Sequence, residues 1–478
     1  MSVSIKKNVI AKFILNLFNI IIPLLVAPYI YRVLGADLNG RINFADSLSQ
    51  YFIIFANFGI YQYGIREINK VRNNKEMMRK TFSSLYLITF ITNIIAAVSY
   101  VTYVIFRYSN SVVYIACMIT TVNFFATAFY VEWVNEATEN YQFITIKTIL
   151  TRFLYTVILF AIIKSSKDFV SYLILIMVIN VINNLISFIY IAKKIGFDFS
   201  DLILKKHIKP MFLTIIISNS QLLFVQLDKV MLGESAGMLQ VSYYSIAQKI
   251  ITMISTLLLS VIYVTIPRLS VYLAQKQHEK YYDLLKQSVE VFMMLLFPSA
   301  IGIMVLSKYI VTIYGGAEYS GTGNVLAVFA VYMITYGIET ILTNQIMYLK
   351  RKEKKQMLFT SMFGVLNFIL NIVLVKLHIF NALNAIITTV IADAILILTQ
   401  YIYIKYILKV QYSIFAWNNM KYLLISLIFI PVSFVFKFVN NQYIYIVLNI
   451  VTDCIIYFMF IPKKQKERIL KRKIRKVE

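Results

Sequence analysis

Apolar stretches long enough to cross a membrane recur along nearly the whole chain. A spanning helix needs roughly 20 mostly apolar residues, and fourteen such stretches can be marked, the first at 9–34 and the last at 443–461. That pattern predicts an all-α integral membrane protein. The composition agrees, because 59% hydrophobic and only 14% charged residues among 478 are far outside the range of a soluble domain. The first stretch is long, contains Pro23 and Pro28 and has no small-residue cleavage site behind it, so no cleavable leader is expected.

Charge placement then gives an orientation. Basic residues gather at the N-terminus, in 66–80, at Lys147, in 193–209, 268–286, 350–355 and 405–421, and in the tail 463–476, together 35 Lys and Arg. The loops assigned to the opposite side hold 8. Basic loops mark the cytoplasmic side, so both termini are predicted to be cytoplasmic and the number of crossings even. The net charge of +25 would suggest nucleic acid in a soluble chain. Here its meaning is topological, and no nucleic-acid partner is expected.

Every outer loop is short, which argues against an enzyme needing a large external catalytic domain. The two large basic segments, 66–80 and 268–286, carry apolar residues at helical spacing and are expected either to lie on the inner membrane surface as short helices or to remain solvated loops. Cys117 and Cys454 both lie in apolar segments and offer neither a disulfide framework nor metal-ligand spacing. His207, His278 and His378 read as solvated loop residues.

The functional pointer is residues 224–233, FVQLDKVMLG, where Asp228 and Lys229 sit inside an apolar run. A charge in hydrocarbon costs a few kcal/mol at least, so such residues face a protein interior or a watery cavity. Either they line a path or they hold two parts of the protein together by ion pairing. Residues 31–35, YRVLG, resemble this stretch and suggest that the chain is two similar halves. An even shift of six segments between them makes the repeats parallel. The predicted organisation is a six-helix lobe over 1–210, a second over 211–415, and two further helices with a basic tail over 416–478.

Polar stripes run at helical spacing through several segments. They comprise Lys12, Asn16 and Asn19; Asn43, Asp46, Ser47, Gln50 and Asn57; Ser218, Gln221, Asp228 and Lys229; Gln248, Lys249 and Thr252; and Glu339, Thr343 and Asn344. One stripe of small polar residues is commonly a packing face. Several that also carry charge favour a cavity. Lys12, Arg32, Arg41, Arg152, Lys229 and Lys249 outnumber Asp46, Asp228 and Glu339, so an anionic substrate would fit.

The motifs APYIYRVLGADLNGRINFADSL, QLDKVMLG, VSYYSIAQKI and VTIPRLS resemble those of the polysaccharide repeat-unit (O-antigen or capsule, Wzx-type) flippases of the multidrug/oligosaccharidyl-lipid/polysaccharide (MOP) exporter superfamily. The resemblance covers essentially the whole chain. It implies a MATE-like fold and export of an undecaprenyl-pyrophosphate-linked oligosaccharide across the bacterial cytoplasmic membrane by alternating access, without catalysis or a cofactor. It further implies that Arg32, Lys229 and Lys249 bind the pyrophosphate, helped by Arg66 and Arg268. Asp46, Asp228 and Glu339 would balance charge or couple to a proton or sodium ion. Membrane lipids and, downstream, polysaccharide polymerase and chain-length machinery are the implied partners, and the terminal two helices would guide the lipid tail. Three other readings stay open: a cation-coupled drug or metabolite exporter, a peptidoglycan or teichoic-acid precursor flippase, and, from the enzymes, a polysaccharide polymerase.

Overall fold

The computed structural model describes residues 5–200, 202–410, 412–439 and 441–462, with side chains at 5–17, 19–20, 213 and 216–225 outside the described set. The predicted basic tail and the side chains of Lys12, Asn16, Asn19, Ser218 and Gln221 therefore lie outside the described residues. Regular structure among the described residues is entirely helical. Twelve helical stretches among them are long and apolar enough to cross a membrane, and one, Ile21–Val71, is 51 residues long. The chain packs as two compact units, Met1–Ser245 and Ile246–Glu478.

The first unit contains α1 (Ile5–Asn57), α2 (Ile60–Val71), α3 (Lys75–Tyr108), α4 (Tyr114–Thr120), α5 (Val122–Ala128), α6 (Glu132–Ala137), α7 (Tyr141–Ile162), α8 (Phe169–Ile195) and α9 (Leu204–Ser235). α1 is two helices joined at Gly35, whose φ of 77° only glycine adopts at little cost. Asn39 spans that break, its amide donating to the carbonyls of Gly35 at 2.7 Å and Ile30 at 3.3 Å. The backbone groups freed by the kink are thereby satisfied inside the apolar run.

Segment 66–80 differs from the surface-helix expectation. α2 does form and is amphipathic, but Ile60, Tyr63 and Ile68 bury against Phe82, Trp133 and Val134 rather than facing lipid. Gly64 makes this possible, because a Cβ there would lie 2.4 Å from the Trp133 ring. The loop reading of Lys147 also fails. Lys147 is buried on α7, with its Nζ 3.1 Å from Glu132 Oε1 and 2.8 Å from Ser187 Oγ. A neutralising carboxylate on α6 is what lets a lysine occupy that position.

The second unit continues α10 (Met238–Ala274) and adds α11 (His278–Gly315), α12 (Gly323–Thr340), α13 (Glu353–Lys376), α14 (Ala382–Ile402), α15 (Trp417–Leu427), α16 (Phe429–Val435) and α17 (Gln442–Phe460). No separate surface helix forms over 268–286. α10 and α11 instead extend through it, separated by only three residues. Pro298 interrupts the hydrogen bonding of α11 because it has no N–H to give the Met294 carbonyl. The Tyr457 hydroxyl of α17 donates to that carbonyl at 2.6 Å, so the last helix docks at the proline site. Lys421 and Tyr422 of α15 both reach Glu290 of α11, at 3.4 and 3.3 Å.

Several outward-facing rows are apolar, as with Leu150, Phe153 and Val157 on α7 and Val447, Val451 and Ile455 on α17. Such rows suit a hydrocarbon surround, where backbone polar groups are already paired within each helix.

Candidate functional site

In the first unit the charged pair lies where the apolar context predicts. Asp228 is 1% and Lys229 8% exposed. They are adjacent on α9 and so point about 100° apart around the helix. Asp228 Oδ2 accepts from the Tyr244 hydroxyl at 2.7 Å, and its charge is within electrostatic reach of Tyr51 on α1. A carboxylate so placed is held by a phenol donor. Asp46, also on α1, is half-buried within reach of the fully buried Tyr100.

Farther along α9, Glu234 is gripped by α3. Arg107 Nη2 lies 2.5 Å from one carboxylate oxygen and the Tyr108 hydroxyl donates to the other. Aromatic edges surround the same place, with Tyr108 T-shaped against both Phe44 and Tyr103. None of these three residues stands out in the sequence, because Arg107 and Glu234 are 127 positions apart.

The remaining cations of this unit divide. Arg32 is exposed on α1, and Arg41 is ion-paired with Asp37 at 2.6 Å. Arg66 is exposed on α2, 3.4 Å from Glu67 and stacked over the Tyr63 ring. Tyr63 also reaches His207 Nδ1 at 2.8 Å. His207 is therefore not a solvated loop residue but 2% exposed, with its Nε2 unpartnered. Burial holds its pKa below the ordinary value, against a smaller upward pull from Glu67.

The second unit builds a different kind of site. Glu339, nine-tenths buried near the end of α12, accepts from Thr343 at 2.6 Å and from the Gln356 amide at 3.1 Å. Gln400 of α14 completes the ring, its Nε2 donating to Thr343 Oγ1 at 3.2 Å and Gln356 Oε1 at 2.8 Å. Thr343 is four residues after Glu339 and so on the same face, within a π-helical segment, Ile341–Met347, a widened turn often found at functional positions. Asp393 on α14 is in electrostatic reach of Glu339 and has one buried oxygen without a donor. Among the described residues no Lys or Arg pairs with either acid.

Lys249 and Arg268 are both exposed on α10. Nineteen residues of helix separate them, about 28 Å at 1.5 Å per residue, so one diphosphate cannot touch both at once. Arg268 Nε donates to the Tyr272 hydroxyl at 3.1 Å.

Comparison with known proteins adds to this geometry. The family model described as "Polysaccharide biosynthesis protein" matches residues 5–273, and that described as "Lipid II flippase MurJ" matches 173–452. A protein of Shigella dysenteriae described as an O-antigen transporter is 23% identical over 358 residues, covering 73% of this chain and 87% of its own. A second, from Escherichia coli K12, is 22% identical over 167 residues, covering 34% of this chain and 40% of its own. Among solved structures, a lipid II flippase MurJ in an inward closed conformation matches with a TM-score of 0.75 at 17% identity, over 98% of this chain and 99% of that one. A multidrug resistance MATE transporter of the MOP superfamily matches with a TM-score of 0.57 at 12% identity, over 81% and 99%. By these matches the chain belongs to the polysaccharide biosynthesis protein family and shares the fold of the MurJ and MATE proteins, and the relatives and neighbours it resembles are transporters and flippases rather than enzymes.

Proposed function

We propose that the protein moves an undecaprenyl-pyrophosphate-linked oligosaccharide from the cytoplasmic to the outer face of the bacterial cell membrane by alternating access. The observation that carries this reading is the buried Asp228–Lys229 pair on α9, with Arg32 exposed on α1 of the same unit. Charge kept in such a place at a cost of several kcal/mol signals a task beyond packing. A diphosphate needs cations, a sugar needs a polar path, and a polyprenyl tail stays in lipid. Lys229 and Arg32 would hold the diphosphate, and Lys249, Arg66 and Arg268 are the further cations proposed to bind it. Asp46 and Asp228 would set the charge balance.

Two parallel six-helix lobes and fourteen crossings belong to this proposal. Counting Ile21–Val71 as two crossings and α9 as one more supports that number. Both termini are then cytoplasmic, with the basic loops inside. An inside-negative potential favours outward movement of the anion by about 2.3 kcal/mol per charge per 100 mV. Glu339, an acid without a basic neighbour, would couple this to a proton or sodium ion. Polymerase and chain-length machinery would receive the product. A flippase for peptidoglycan precursors is the second reading, favoured by the MurJ family match over 173–452.

The test is movement of fluorescent undecaprenyl-pyrophosphate oligosaccharide across sealed vesicles containing the protein, with lipid II in a parallel arm. Accumulation on the far leaflet of the oligosaccharide alone supports the first reading. Movement of lipid II alone supports the second. Movement of neither, by folded protein in either orientation, removes both.

A further inference from the structure

The terminal helix α17 looks like a plain hydrophobic anchor, yet it buries a polar row. Its buried residues are Tyr445, Asn449 and Asp453, spaced four apart and so on one face. The Tyr445 hydroxyl is used, donating to the Ser433 carbonyl at 3.2 Å. Asn449 and Asp453 are 0% and 5% exposed, and each has a side-chain Oδ1 with no donor.

The amide of Asn449 cannot turn to solve this. Its Nδ2 donates to the Tyr445 carbonyl at 2.8 Å, and turning the group would set oxygen against oxygen. Side chains on a helix lean toward its N-terminus, so the Asp453 carboxyl lies over the turn that carries Asn449. Two buried acceptor oxygens without donors thus lie on one face of α17, a turn apart. A single hydrogen satisfies both, if it sits on Asp453 and is donated to Asn449.

We propose that Asp453 is a proton-binding site, its carboxyl protonated and hydrogen-bonded to Asn449 Oδ1 while α17 is docked on α11. A hard metal cation fits poorly, because two oxygens fall well short of the roughly six to eight such ions take. Nearby charges are committed elsewhere. Glu290 of α11 pairs with Lys421 of α15, and Lys437, beyond α16, lies over the Phe434 ring. Tyr309 of α11 lies tilted against the Tyr445 ring at 4.6 Å, Tyr422 of α15 donates to Glu290, and Tyr457 caps Met294. Among the described residues no Lys or Arg nitrogen pairs with Asp453. Loss of the proton would leave a bare carboxylate in the seam between α11 and α17. Docking of the last helix is then sensitive to pH, whatever the transported molecule.

Infrared difference spectroscopy on the full chain in lipid nanodiscs tests this. Wild type minus Asp453→Asn at neutral pH should show one protonated-carboxyl C=O band that shifts in deuterated buffer. Asn449→Leu should keep the band but move it to the frequency of a weaker hydrogen bond. Raising the pH until the band vanishes should increase amide exchange of α17 several-fold in wild type and leave Asp453→Asn unchanged, since asparagine copies the neutral acid. Absence of the band in a folded wild-type sample overturns the proposal. A band unmoved by Asn449→Leu overturns the shared proton, and exchange unaltered through the titration overturns the link to docking.

Discussion

Two sites, one in each unit, solve the problem of buried charge in opposite ways. In the first unit, charges of both signs lie together or close at hand: Glu132 with Lys147, and Lys229 beside an Asp228 held by Tyr244. In the second, Glu339 is surrounded by hydroxyls and amides with no basic side chain paired to it. A matched pair is fixed, because breaking it strands the survivor in a low dielectric. An acid among neutral donors changes charge state without stranding anything. The first arrangement suits holding an anion or closing a contact. The second suits taking up and releasing a cation.

Breaking the matched charges should therefore hurt most. Glu132→Ala leaves Lys147 buried and unneutralised, and thermal or denaturant unfolding should register about 3–5 kcal/mol of lost stability. A loss under 1 kcal/mol would mean that Lys147 finds water. Next comes Tyr244→Phe, which removes one hydrogen bond to a charged carboxylate and should cost about 1.5–3 kcal/mol. In an Asp228→Asn background the same change should cost markedly less, and equal costs in both backgrounds would place the effect in packing.

His207 gives a smaller, pH-dependent term. Its folded pKa lies below the unfolded value, so the unfolded chain binds more protons and stability falls as pH drops below about 6.5. The slope is at most about 1.4 kcal/mol per pH unit. His207→Phe should flatten that part of the unfolding profile, and an unchanged slope would assign it to other groups. Smallest in stability is Glu339→Gln, within about 1 kcal/mol because Thr343 still has an oxygen to donate to. Its signature is instead loss of the pH or sodium dependence of transport, and persistence of that dependence would detach Glu339 from coupling.

Helical spans, the buried Asp228–Lys229 pair and the break at Gly35 were legible in the sequence, because each is written locally as an apolar run, a charge within it, or a glycine at its end. What escaped depends on distant partners. Lys147 looks like a loop residue until Glu132, fifteen positions earlier, folds against it. His207 looks solvated until Tyr63 from the end of the first long span meets it. The segment 66–80 was legible as amphipathic, but the covering for its apolar face comes from Phe82, Trp133 and Val134, and no periodicity can say whether protein or lipid supplies it. In the second unit Glu339 could be seen as an intramembrane acid, whereas its neutral shell required Gln356 and Gln400 from two other helices.

The most direct measurement is the transport rate of undecaprenyl-pyrophosphate oligosaccharide in sealed vesicles, compared between wild type, Lys229→Ala and Arg32→Ala at matched folded protein content. Transport by wild type that falls at least tenfold in both variants, with unfolding midpoints preserved in Arg32→Ala, is the result this account predicts. Undiminished transport in both variants would contradict the assignment of the first unit's buried charge to the substrate.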